Sequence, residues 1–368
     1  MFKLLPIFIS LSFAAAAFAA SVNGPTFGSY AVQCPADSDT YIGILPTRMP
    51  AFTGEVDGMT LSSRKISARG EPKWKADKFV YQKGVQTNHY YLKFTSGELE
   101  SAWFDIFAND SYSVQISIGE AEFRKISVGD AFQIIPHWTM ATLFPDGGGF
   151  AKATSMIGAT LIRKQTEFDS ENGSVYPIGK NKAFLSTYYF KKSSSSAGWK
   201  TTRNAAADDS VVEPNTGLKI IQPDSGTVAI VSGVIPLCAS SFELFVAEDT
   251  GSQVQSQDIM LAIPSAVDIK LSDLTDALVG TGAFAASSGF VPTDILRVYD
   301  NSKTGKNVSA TKSFYFKKSS GRWVDMGDYK ADVEGFLLKP EYVLKFIKQA
   351  EGSATAVRVK VKHKYDVE

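Results

Sequence analysis

His89, His137 and His363 are the whole imidazole complement of this 368-residue chain. Imidazole metal centres need several ligands at short fixed spacings, His-x3-His or with cysteine partners, and none of the three stands at such a spacing. His89 opens the aromatic run His89-Tyr90-Tyr91-Leu92-Lys93-Phe94, His363 lies among lysines, and His137 precedes Trp138 at what reads as a strand end. No metal and no cofactor is expected. Glu98 with Glu100, and Glu120 with Glu122, would share a strand face at period two, and glycoside cleavage needs two carboxylates about 5 to 10 Å apart. Exposed hairpins carry such acid pairs commonly. Asp37-Ser38-Asp39, Asp169-Ser170-Glu171-Asn172-Gly173 and Asp300-Asn301 offer oxygen donors, but none fits the calcium loop Asp-x-Asp-x-Asp-Gly with a glutamate at its twelfth position, and Asx turns explain them equally well. Lys303-Thr304-Gly305 matches one part of a penicillin-binding signature, yet neither a Gly-x-Ser-x-Gly elbow nor a phosphate loop accompanies it. The catalytic residues are therefore left unassigned.

Aromatic residues are the more promising group. Tyr188-Tyr189-Phe190 with Trp199, and Phe314-Tyr315-Phe316 with Trp323, would make two stacking platforms for sugars, with Tyr189, Trp199, Tyr315 and Trp323 as ligand-binding candidates. Alternation sends Tyr189 to one face and Tyr188 with Phe190 to the other, so one face of each hairpin packs inward. Tryptophan opposite an aromatic residue across a hairpin is a strong core pair, and packing is the preferred reading. Lys191-Lys192 and Lys317-Lys318 read as solvated hairpin ends. Cys34 and Cys238 are either bridged or two buried free thiols, since spacing alone does not bring their Cα atoms within about 7 Å.

The charge balance narrows the partners. With 38 basic and 38 acidic side chains, the chain has no general attraction to nucleic acid or anionic lipid. Residues 1–20 carry one cation, Lys3, then an apolar stretch and small residues around Ala17-Phe18-Ala19, the layout of a secretory signal peptide. No integral membrane span is expected after its removal, because the best later candidate, Val228 to Cys238, is broken by Ser232, Gly233 and Pro236. The charged finish Lys362-His363-Lys364-Tyr365-Asp366 suits a lipid-facing barrel strand poorly. A protein secreted to the periplasm, cell surface or extracellular space follows.

What must position these residues is a set of strands. Lys78-Phe79-Val80-Tyr81, His89 to Phe94, Tyr112 to Ile118 and Ala356 to Val361 are β-rich, the last two alternating with period two. Helical periodicity is scarce, with Ser272 to Val279 able to make two turns. The chain also repeats itself. Gly179-Lys180-Asn181 and Tyr189-Phe190-Lys191-Lys192-Ser193-Ser194 recur 126 residues later as Gly305-Lys306-Asn307 and Tyr315-Phe316-Lys317-Lys318-Ser319-Ser320, each followed by a tryptophan. Leu161-Ile162-Arg163 recurs as Ile295-Leu296-Arg297, offset 134, and Gly217 to Ile221 parallels Tyr342 to Ile347, which predicts a strand where Glu341 to Gln349 alone would pass for a helix. Asp39 to Pro46 resembles Asp258 to Pro264, but only the first copy then continues into a long non-repeated stretch. The predicted architecture is all-β: two related sandwich or barrel-like units, residues 21–50 plus 137–245 and residues 246–368, with a small β-barrel, residues 51–136, inserted in the first.

Asp39 to Pro46 with its inserted module, then Pro136-His137-Trp138-Thr139-Met140-Ala141-Thr142-Leu143-Phe144-Pro145 and the duplicated aromatic hairpins, resemble a family of uncharacterised secreted proteins from verrucomicrobial bacteria. The resemblance spans nearly the whole mature chain and implies a secretory origin and a shared architecture, but no site. A secreted non-enzymatic β-protein with a structural or interaction role is expected, with a surface polysaccharide or another envelope protein as partner. A carbohydrate-binding module using the aromatic hairpins is the alternative, and a hydrolase comes third.

Overall fold

The computed structural model describes residues 26–165, 167–169, 174–176, 186–193, 195–236, 239–244, 247–248, 254–255, 257–289, 291–349 and 357–362. The signal-like segment 1–20, Cys238, His363 and residues 170–173 and 177–181 lie outside them. The fold is all-β, with every named strand pairing antiparallel among the described residues, and no described helix is long and apolar enough to cross a membrane.

Two five-stranded sheets have the same strand order. The first runs Asp39–Gly43, Gly217–Ile221, Leu161–Lys164, Ser186–Lys191, Gly198–Thr201, and the second runs Gln257–Ala262, Val343–Lys348, Ile295–Tyr299, Lys312–Lys317, Arg322–Asp325. Register repeats as well as order. Ile162 stands opposite Tyr188 and Ile220, and Leu296, 134 residues on, stands opposite Phe314 and Phe346. The strand that replaces the helix-like Glu341 to Gln349 is Val343–Lys348, paired on both edges as the repeat requires.

Each sheet packs on a two-stranded ribbon. In the first unit Phe27–Cys34 pairs with Thr227–Val234, and Val32, Cys34, Ala229 and Val231 point into a core with Ile42, Ile162, Leu218 and Ile220. In the second, Ser240–Leu244, which the sequence division assigns to the first unit, pairs instead with Val357–Val361 over Phe242, Leu244, Val359 and Val361, so the second unit begins earlier than residue 246. Alternation explains both ribbons, since one face of each must meet the sheet. A short turn closes each core: Met140–Leu143, capped by Thr139 and Thr142, and Leu271–Leu274, whose Lys270 N–H donates to Asp273 at 2.9 Å. Ser272 to Val279 forms this 3-10 turn and a π-turn over Asp276–Gly280, so the two helical turns expected there are present but not as one α-helix.

Between Ala51 and His137 the chain makes a closed six-stranded barrel, ordered Phe52–Thr60, Lys65–Ala68, Ser113–Ile116, Trp103–Asn109, Tyr90–Phe94, Ala131–Pro136. Register shifts at Val56/Gly58 and Ile106/Ala108 bend its strands, as bulges do. Lys78 to Tyr81 is not a strand. It is a run of turns that lowers Phe79 into the barrel mouth against Trp74 and Tyr90, with the Phe79 N–H donating to Asn109 Oδ1 at 2.8 Å. Burial of one large ring overrides the local β-preference there. Glu98 and Glu100 lie in a turn, and Glu120 and Glu122 on a one-turn helix, which corrects the strand-face reading of both pairs.

The first sheet's edge strand, Asp39–Gly43, meets the second sheet. Its Gly43 lies so close to Ala262 that an added Cβ would stand 2.7 Å from the Ala262 Cα. Tyr41 and Asn301 exchange two hydrogen bonds of 2.8 Å, the Tyr41 and Tyr299 rings meet at a tilt with centroids 4.0 Å apart, and Asn307 N–H donates to Asp39 at 2.6 Å. The loop that carries Lys303-Thr304-Gly305 is thus a clasp over an otherwise open strand edge, which is how β-proteins protect such edges.

Candidate functional site

The duplicated aromatic residues are packed inside. Tyr189, Trp199, Tyr315 and Trp323 are 3%, 1%, 0% and 1% exposed, so none presents a ring face to solvent. Phe190 stands opposite Trp199, and Phe316 opposite Trp323, with edge-to-face contacts of 5.6 and 5.5 Å. The Trp199 indole donates to the Phe144 carbonyl at 3.1 Å and the Trp323 indole to Thr275 at 3.0 Å. Their backbone N–H groups are held by Asp208 and Glu334, at 2.8 and 2.7 Å. As placed, the rings lock a hairpin onto each core. A stacking platform for sugars would require those hairpins to open.

The acidic and imidazole candidates are tied to partners elsewhere in the fold. Glu100 meets Lys360 at 2.6 Å, Glu122 meets Arg358 at 3.0 Å and Glu98 meets Lys125 at 3.3 Å, so the first two pairs bind the barrel to the second ribbon. Asp39 is paired with Lys219, Asp37 with Lys306, and Asp300 accepts from Ser302 in an Asx turn. Lys303 Nζ donates to the Ala310 carbonyl at 2.8 Å. His137 Nε2 lies 2.6 Å from Asp105 Oδ1, joining the first unit to the barrel, with Tyr91 and Trp103 packed around the ring. Burial raises the Asp105 pKa above the ordinary carboxylate value. His89 stacks on Tyr81 at 4.0 Å, and Tyr81 donates to Asp209; burial, helped by His137, lowers the His89 pKa to about 4. Among the described residues no three His, Cys, Asp or Glu side chains converge as metal ligands would.

Cys34 is a buried free thiol whose Sγ faces the Val32 carbonyl at 3.7 Å. Its proposed partner Cys238 is outside the described residues.

One open cleft is built where the barrel leaves the first unit. Its volume is about 480 Å³, and it is lined by Phe27, Ser29, Arg48, Met49, Trp138 and Ser232 among others. Thr47 pairs with Val234 through two backbone hydrogen bonds, fixing the strand end from which Arg48 projects. Gly233 makes this possible, because a Cβ there would stand 2.4 Å from the Thr47 carbonyl oxygen. Trp138 donates its indole N–H to the Pro46 carbonyl at 2.7 Å and carries Arg48 over its ring at 5.9 Å. Arg48 Nη1 donates to Asn88 Oδ1 at 2.6 Å and to the His137 carbonyl at 3.2 Å. Both partners are neutral, and burial lowers the Arg48 pKa. Trp138 stands out in the sequence and Arg48 does not, being a lone cation between an opening strand and an insertion; the interruption of the repeat is the one signal that marks its position. No protein-family model, curated protein or solved structure matches this chain.

Proposed function

We propose that this chain is a secreted, non-enzymatic β-protein with a structural or interaction role in the periplasm, at the cell surface or in the extracellular matrix. The observation that carries this reading is how the polar side chains suited to chemistry are used: they tie the three β-units to one another. His137 to Asp105 joins the first unit to the barrel, Lys360 to Glu100 and Arg358 to Glu122 join the barrel to the second unit, and Asn307 to Asp39 joins the two sheets. Buried or part-buried groups bonded in this way hold relative positions, which suits a scaffold. The signal-like start and the resemblance to a secreted verrucomicrobial family support the location.

Three measurements test the proposal. The mature protein, purified from the producing cells, should lack residues 1–20 by N-terminal sequencing and should bind saturably to the isolated envelope fraction. It should show no turnover across a broad panel of glycoside, ester and peptide substrates. Recovery of the intact N-terminus from the cytoplasm, or reproducible turnover, overturns the reading.

A further inference from the structure

Arg48 is a cation held with an open fork. Its two Nη1 hydrogens are committed to Asn88 Oδ1 and the His137 carbonyl, which fixes the guanidinium plane, while Nη2 and Nε have no partner among the described residues. No carboxylate among the described residues pairs with it. The remaining Nη2 and Nε donors form the edge that matches a carboxylate bidentately, and a guanidinium is rigid enough to use it with little ordering cost. The cleft beside it combines the Trp138 indole and the Phe27 and Met49 side chains with the exposed serines Ser29 and Ser232, while the Thr47 hydroxyl is turned to the Val234 carbonyl. Apolar walls with a few fixed polar groups describe a small-ligand site, and hydroxyls, an indole edge and one cation together suit a polyol that bears a carboxylate.

We propose that this cleft binds the uronic acid units of an acidic polysaccharide, with the sugar carboxylate on the Nη2–Nε edge of Arg48 and the sugar ring against Trp138 and Met49. This rests on the interaction role proposed above and names its partner class. The Asn88 and His137 contacts act as positioning groups, because they orient the fork without reaching the ligand. Trp138 and Arg48 flank the point where the barrel leaves the first unit, so the site exists only where the insertion is joined to its host.

The test is titration calorimetry of the full mature chain with trigalacturonic acid, with its methyl-esterified trimer and with galacturonic acid monomer. The acid trimer should bind, and the ester, which keeps the shape and loses the charge, should bind about tenfold more weakly or worse. Arg48→Gln and Ser232→Phe, the second filling the cleft floor from an exposed strand face, should each weaken the acid trimer by about tenfold or more. If Arg48→Gln fails to fold, Ser232→Phe decides. Equal binding of acid and ester, unchanged affinity in Ser232→Phe, or no heat with the acid trimer at millimolar concentration overturns the proposal. Binding of the monomer as tight as the trimer also overturns it, since a free carboxylate would then suffice. Envelope binding that survives in Arg48→Gln would leave the interaction role standing while this site falls.

Discussion

Lys219 Nζ lies 2.7 Å from Asp39 Oδ2 across two paired strands, and both side chains are buried where the two sheets meet. Lys345 and Asp258 repeat the contact at 2.7 Å in the second sheet. The lysines are 126 residues apart, the same spacing as the aromatic hairpins. Duplication has therefore carried a buried ion pair as well as hydrophobic spacing. The Asp39 carboxylate also accepts from Asn307 of the second unit, so one pair serves both the sheet and the seam.

Removing one partner of such a pair strands the other. Lys219→Met should lower unfolding free energy by about 3–5 kcal/mol, because Asp39 remains buried without a cation. Asp39→Asn combined with Lys219→Met keeps an acceptor for the Asn307 N–H and removes both charges, and should recover much of the loss. Urea denaturation at pH 7 measures both. A loss under about 1 kcal/mol in the single variant would mean the pair is solvated.

Trp199→Ala and Trp323→Ala should each cost about 3–5 kcal/mol, the range for removing a large buried aromatic. Each also loses its indole hydrogen bond, to Phe144 or to Thr275. Calorimetry should show a lowered unfolding temperature for both variants. Unchanged stability with loss of a glycan signal would return these rings to a ligand-binding role.

The duplication was legible because register is written in residue spacing: the offsets of 126 and 134 reappear as cross-strand partners, down to Ile162 opposite Tyr188 and Leu296 opposite Phe314. Phe79 was misread because its β-rich neighbours say nothing of a barrel mouth that needs a plug. The ribbons show a different limit. Lys360 and Arg358 on the second ribbon reach the barrel, whereas the corresponding outward positions of the first ribbon, Ile230 and Val228, are exposed at 61% and 38%. Alternation predicts which residues point outward, but not which outward face another module will cover. The Arg48 cleft was illegible for a related reason, since its walls come from Phe27, Arg48, Trp138 and Ser232, four separate stretches of chain.

His89 gives the fold an acid-sensitive contact. Its pKa falls from 6.5 to about 4 on folding, chiefly through burial. The unfolded chain then binds the proton more readily than the native one between those values, so His89 makes stability fall as pH drops through that window and leaves it unaffected above pH 6.5. Asp105, whose pKa is raised, acts in the opposite sense, favouring the native state as pH falls toward 3.8. The difference between the wild type and His89→Gln isolates the imidazole. Denaturation at pH 7.5, 5.5 and 4.5 should show the variant losing less stability on acidification, by on the order of 2 kcal/mol after allowing for partial exposure. Parallel pH profiles for the two proteins would refute the assignment.

Cys34 is 1% exposed, and burial pushes its thiol up to about 11. A thiol that is both covered and protonated should resist alkylation in the folded protein at pH 8. The ribbon register also bears on the bridge to Cys238. Cys34 stands opposite Thr227, and Val234 stands opposite Phe27 at the other end of an eight-residue ladder about 23 Å long. Three residues separate Val234 from Cys238, four steps along the chain and a reach of at most about 14 Å. Since bridged Cα atoms lie within about 7 Å, the disulfide and the intact ladder exclude each other. Iodoacetamide applied in guanidinium without reductant should therefore add two adducts per chain by mass spectrometry, and the same reagent under native conditions should leave Cys34 unmodified. A mass two hydrogens lighter with no adducts would show the bridge formed, and with it that the ribbon pairs in a different register.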